Sequence, residues 1–149
     1  MSVAVRALRP EDREAWEPLW AGYLAFYETD LDPVVTEVTW QRFGDASEPM
    51  HAVGAFDEQG NLLGFAHLIQ HRSTWSSTAY CYLEDLFTAP QARGRGVGRA
   101  LIAAVADAAR RAGADKLYWQ THATNATARS LYDQVARHEG FLVYDHALD

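Results

Sequence analysis

Apolar positions recur at two spacings along the chain, and the switches between them mark out its elements. Ala4 to Leu8 alternates weakly and reads as a short first strand. RPEDREAW (Arg9 to Trp16) follows, with a proline and early acids that suit a helix start. Trp16, Leu19, Trp20, Tyr23, Leu24 and Tyr27 then share one helical face, with Pro18 expected to kink or restart the helix. A second short helix is predicted over Pro33 to Phe43, closed by Gly44. Met50 to Phe56 and Leu62 to Ile69 flank the turn-rich DEQGN and read as an antiparallel hairpin. Tyr80 to Phe87 is a further strand, and Gly96 to Ala112 an alanine-rich helix stopped by Gly113. Leu117 to Thr121 reads as a strand, Asn125 to His138 as a helix and Phe141 to Ala147 as a final strand. The order predicts a mixed α/β (α+β) domain spanning residues 1–149, with no repeat or linker inside it.

Composition narrows the partners. The chain has 149 residues, of which 48% are hydrophobic and 22% charged, ordinary values for one globular domain. No apolar run approaches the roughly 20 residues of a membrane span, and the first residues do not read as a signal peptide. A cytoplasmic location without membrane contact is therefore expected. The net charge of -7 argues against general nucleic-acid binding, because phosphate backbones demand a basic surface. Cys81, the single cysteine, excludes an internal disulfide and reads as a small buried hydrophobe between Tyr80 and Tyr82.

Against that acidic background, LEDLFTAPQARGRGVGRAL (Leu83 to Leu101) gathers three glycines and three arginines where a strand gives way to a helix. A helix N-terminus carries unpaired N–H groups and partial positive charge, so a glycine-rich turn leading into it can wrap an anion. Gly94, Gly96 and Gly98 keep side chains out of the way, while Arg93, Arg95 and Arg99 add charged donors. A Rossmann G-x-G-x-x-G fails, since its last position falls on Arg99 or Leu101, and the Gly-Lys-Ser/Thr of a Walker A loop is missing. What remains is R-x-x-G-x-G, from Arg93 through Gly96 to Gly98.

That pattern resembles the coenzyme A motif of the GCN5-related N-acetyltransferases (GNAT family). The resemblance extends to RPEDREAW at the first helix and to NATARSLYDQVARHEGF (Asn125 to Phe141) near the C-terminus. YLAFYETDLDPVVTEVTWQRF (Tyr23 to Phe43) is similar to the small fungal histone and D-amino-acid acetyltransferases, and LED to the diamine and polyamine acetyltransferases. The resemblance implies a mostly antiparallel twisted sheet of about six to seven strands with about four helices. It implies acetyl-CoA as cosubstrate, a small-molecule primary amine as acceptor, and a homodimer. Acetylation of histone-like peptide lysines and a non-catalytic coenzyme A-binding module are its alternatives.

By motif match, Leu86, Phe87 and Thr88 would line pantetheine through backbone atoms, and Arg93, Gly94, Arg95, Gly96, Val97, Gly98 and Arg99 would surround the pyrophosphate, with Asn125 and Arg129 also on the cofactor. Tyr132 lies two helical turns beyond Asn125 and would donate a hydrogen bond to the departing sulfur. Complete proton transfer from tyrosine to a thiolate is uphill by about 2 kcal/mol. An ammonium has no lone pair, so a base or water relay must deprotonate the acceptor; Glu84 is the candidate. A backbone amide near Leu86 could hold the developing oxyanion. Asp85 faces the other way in a regular strand, so a bulge is required if both acids serve one site. Glu28, Asp30, Asp32 and Glu37 would form an acidic rim attractive to a cationic amine, or a solvated loop. His67, His71 and His122 lack a convincing metal-ligand setting; structural or surface roles are expected, and no metal.

Overall fold

The computed structural model describes residues 2–149. Its residues gather into two compact units, Met1–Trp119 and Gln120–Asp149. The first unit holds a five-stranded sheet of strands β1 (Ala4–Ala7), β2 (Met50–Phe56), β3 (Leu62–His71), β4 (Ala79–Thr88) and β5 (Ala114–Tyr118), ordered as numbered. The first four strands pair antiparallel, and β5 runs parallel to β4. The crossover between β4 and β5 is helix α3 (Val97–Arg111), whose Val97, Leu101, Ile102, Val105 and Ala109 are buried. The side-chain spacing of α3 explains this, since those positions repeat every three to four residues along one face.

The opposite face of the sheet is covered by α1 (Arg13–Phe26) and α2 (Pro33–Phe43) around an aromatic core of Trp16, Trp20, Phe65 and Phe87. Trp16 is fully buried, stacks on Trp20 and tilts against Trp40. Arg13 fastens the two helices, reaching Glu37 at 2.9 Å and Glu17 at 3.3 Å, and Trp20 Nε1 donates to Thr36 Oγ1 at 2.9 Å. Helix α1 runs unbroken through Pro18, so packing of its tryptophans outweighs the one backbone bond that a proline forfeits. Pro33 stands in the first turn of α2, where its missing N–H is no loss, and the Asp32 carboxylate caps that turn through Val34 N.

The second unit contains α4 (Ala126–Val135), which ends shorter than the predicted Asn125 to His138. The predicted final strand over Phe141 to Ala147 is not formed, leaving five strands where six to seven were expected. A strand needs a neighbour for its backbone groups, and this stretch has none: Phe141 is 80% and Tyr144 89% exposed. Strand β5 also starts three residues earlier than expected, because Gly113, at φ +80°, ends α3 and turns the chain straight into the sheet. No helix among the described residues is long and apolar enough to cross a membrane.

Candidate active site

Strand β4 pairs differently along its length. From Tyr80 to Tyr82 it lies between β3 and β5, but its register with β5 stops at Tyr82 while that with β3 continues to Thr88. Beyond Tyr82, therefore, one edge of β4 has no strand beside it among the described residues, and Leu86, Phe87 and Thr88 sit on that stretch. The Phe87 ring is buried in the aromatic core, which leaves its main chain as the part turned to the edge. Close packing fixes this edge from behind. A Cβ on Gly64 of β3 would come within 2.6 Å of the Phe87 carbonyl oxygen and 3.0 Å of Val97 Cγ1, so only glycine allows β3, β4 and the start of α3 to approach so nearly.

The turn after β4 leads into α3 through a short 3-10 turn, Pro90–Ala92, and the loop Arg93 to Gly96. Gly94 and Gly96 adopt φ of +81° and +79°, a left-handed backbone open to glycine at little strain, and a Cβ on either would meet nothing within 4 Å. The space in front of them is thus clear. Gly96 caps α3, Val97 anchors it in the core, and Gly98 and Arg99 complete its first turn, whose N–H groups have no partner within the helix. The Arg93 guanidinium stands 5.8 Å over the Phe87 ring. An exposed loop with clear frontage, leading into a helix N-terminus, fits a pyrophosphate.

On the α1–α2 face, a cavity of about 170 Å³ opens over the middle of the sheet, lined by Trp20, Val35, Phe43, Met50 and Ile69 together with His67, Glu84 and Asp85. Both carboxylates reach it because the ladder slips: His67 pairs with Asp85, and the next residue, Leu68, pairs with Leu83. Glu84 is the extra residue of a bulge, so two consecutive acids escape the alternation of a regular strand. Partial enclosure pushes the Glu84 carboxyl above its ordinary 4.5, the nearby Asp85 charge raises it further, and a hydrogen bond with the Tyr82 hydroxyl opposes both. Burial and the two acids raise the Tyr82 and Tyr23 hydroxyls far above their ordinary values, so both stay protonated donors; Tyr23 bonds to Asp85.

His67 is 2% exposed. Its Nε2 accepts from the Trp16 indole N–H at 3.0 Å, and its Nδ1 lies 2.8 Å from Asp85 Oδ2. An acceptor at Nε2 requires the neutral ring, and burial lowers the His67 pKa in the same sense, against the pull of Asp85. The sequence marked His67 as structural and left Asp85 to a bulge; their union across two strands appears only once the register is known. His71 instead accepts or donates at 2.6 Å to the Tyr118 hydroxyl.

Two of the four acids of the expected rim have structural partners: Asp32 caps α2, and Glu37 pairs with Arg13 and Gln41. Cys81 is fully buried and its thiol is pushed up to about 11, as a small hydrophobe would be. In the second unit, Asn125 caps α4 by accepting from Ala128 N at 3.4 Å, and Arg129 Nη1 donates to the Ala123 carbonyl at 2.8 Å. Tyr132 follows in the same helix, half-buried. Among the described residues no group of three or more His, Cys, Asp or Glu side chains could hold a metal.

An open strand edge thus runs into a glycine-lined helix start, with a carboxylate bulged out of the same strand, an arrangement with room for an extended anionic ligand beside an acid. Comparison with known sequences makes that specific: the Acetyltransferase (GNAT) family pattern matches residues 6–136, and the chain belongs to that family of N-acetyltransferases. It is 38% identical over 135 residues to the D-amino-acid N-acetyltransferase HPA3 of Saccharomyces cerevisiae, covering 90% of this chain and 84% of that protein. It is 33% identical over 142 residues to the uncharacterized N-acetyltransferase YhfO of Bacillus subtilis, covering 94% of each. The fold matches that of AAC(6')-Iy, solved in complex with a bisubstrate analog, CoA-S-monomethyl-acetylneamine, with a TM-score of 0.83 over 100% of this chain and 99% of that one at 20% identity.

Proposed function

We propose that this protein transfers an acetyl group from acetyl-CoA directly to a primary amine of a small cationic or amino-acid-like molecule. The observation that carries the reading is the bulge at Glu84, which sets a carboxylate of raised pKa into a cavity beside the open edge of β4. The donor contributes an activated thioester. The chain's own groups do the rest: the main chain of Leu86 to Thr88 holds the pantetheine arm, and the loop from Arg93 to Gly96 with the first turn of α3 (Val97, Gly98 and Arg99) holds the pyrophosphate. Glu84, directly or through water, removes a proton from the acceptor ammonium so that its lone pair can attack, and a backbone amide near Leu86 steadies the oxyanion. From the second unit, the motif match assigns Asn125 and Arg129 to the cofactor and Tyr132 to hydrogen bonding with the departing sulfur.

The state of Cys81 supports direct transfer, since a fully buried thiol pushed up to about 11 is poorly placed to take up an acyl group. The relative that acts on D-amino acids supports an amino-acid-like acceptor. The test is thiol release from acetyl-CoA across D-amino acids, polyamines, aminoglycosides and lysine peptides. Saturable release with at least one small amine is expected; release at the background hydrolysis rate with every amine would overturn the reading.

A further inference from the structure

Three side chains from three separate elements form one buried line: Trp16 of α1, His67 of β3 and Asp85 of β4. Trp16 N–H points at His67 Nε2 at 3.0 Å, and His67 Nδ1 points at Asp85 Oδ2 at 2.8 Å. Trp16 is 0% and His67 2% exposed, whereas the Asp85 side chain is 15% exposed and lines the cavity. Because the indole can only donate, Nε2 is bare, and the ring of neutral His67 has its one proton at Nδ1, aimed at the carboxylate. Tyr23 donates to the same carboxylate. Two fixed donors hold the carboxylate in place and leave its remaining lone pairs for the cavity.

We infer that Asp85 is the carboxylate that docks the acceptor's ammonium group and that His67, held in a single tautomer by Trp16, is the positioning residue that aims it. This rests on the acetyl-transfer reading above and divides the labour of the two acids. Glu84, displaced by the bulge and bonded to Tyr82, removes the proton; Asp85, braced from behind, binds the cation before and during that step. His67 lines the cavity but makes no hydrogen bond of its own to substrate, since both its ring nitrogens are engaged. Such an arrangement also accounts for a polar line set inside an otherwise aromatic core, where an apolar residue at position 67 would pack without needing partners.

The inference is tested with wild-type enzyme and the variants Asp85→Asn, His67→Asn and His67→Leu, assayed with an amine that wild type acetylates. Asparagine can present an amide N–H near the place of Nδ1–H, whereas leucine cannot. Expected are an acceptor KM raised about tenfold or more in Asp85→Asn and His67→Leu, an acetyl-CoA KM within about twofold of wild type, and substantial recovery of acceptor KM in His67→Asn. If kcat alone falls, in step with the folded fraction, and acceptor KM is unchanged in both His67 variants, His67 is merely structural and the inference fails. Nitrogen NMR of histidine-labelled wild type serves even where a variant does not fold: a neutral His67 ring protonated at Nδ1, shifted by saturating amine, is expected. A ring protonated at Nε2, or one blind to the amine, overturns the assignment. Wild type that acetylates no amine would instead defeat the acetyl-transfer reading, and this inference with it; unresponsive acceptor KM in an active enzyme defeats the inference alone.

Discussion

The two sides of β4 are built by different means. On the side proposed for the cofactor the surfaces are main chain: an edge without a strand beside it among the described residues, two glycines at positive φ and the first turn of a helix. On the side proposed for the acceptor they are side chains gathered from α1, α2, β2, β3 and β4. A main-chain site is specified by what is absent from the sequence, chiefly Cβ atoms, and lies within one short segment. A side-chain site is specified by pairing across the fold, and its members carry no mark of one another. Substitutions should therefore separate the two sides cleanly, the acceptor side failing by chemistry and the cofactor side by geometry.

The largest effect is expected at Glu84. Glu84→Gln should lower kcat by about a hundredfold or more, the usual contribution of a general base, while acetyl-CoA binding holds. In wild type, kcat/KM should fall with acid along a limb lying above the ordinary glutamate value, because partial desolvation and the Asp85 charge raise the Glu84 carboxyl, and the variant should lose that limb. A hundredfold loss of acetyl-CoA affinity in the variant would erase the division between the sides.

Gly64→Ala comes next. Its added methyl would fall 2.6 Å from the Phe87 carbonyl, a backbone atom that moves only with β4, so a loss of about 2 kcal/mol in stability is expected. Calorimetric acetyl-CoA binding should weaken too, although position 64 lies behind the edge. A milder result is expected from Gly96→Ala, where the methyl meets open space but the left-handed backbone costs about 1 kcal/mol. Its acetyl-CoA KM should rise severalfold with acceptor KM unchanged; a change in acceptor KM alone would contradict the comparison.

The smallest effect concerns pH and folding. His67 has a lowered pKa in the fold, so below its ordinary 6.5 the unfolded chain takes up a proton that the folded one refuses. The unfolded state then binds more protons, and stability falls as the pH drops from about 6.5 toward the lower folded value. Denaturant midpoints measured across that window should fall more steeply for wild type than for His67→Asn.

The same contrast explains what the sequence revealed. Helix α2 was legible to its bounds, from Pro33 to the Gly44 that closes it, and so was the glycine-rich turn into α3, because glycine and arginine cluster after a strand. Asp85 was legible only conditionally, as a residue needing a bulge, since no composition rule locates a register slip. The Trp16–His67 bond joins residues 51 apart and leaves no local trace. The strand predicted over Phe141 to Ala147 failed for a related reason: alternation shows that a segment suits a sheet, while pairing decides whether it joins one.

The slip at Glu84 has a consequence for how this enzyme's sheet could be simplified. Leu83 and Asp85 already occupy successive places opposite Leu68 and His67, so the ladder would read continuously were Glu84 cut out altogether. In sheet terms it is a supernumerary residue, one whose deletion restores a plain strand and keeps every remaining side chain on its present face. The fold could dispense with it; the proton transfer proposed above could not. A one-residue deletion that leaves a folded protein without its proton acceptor would show the acceptor side to be an insertion upon an ordinary sheet.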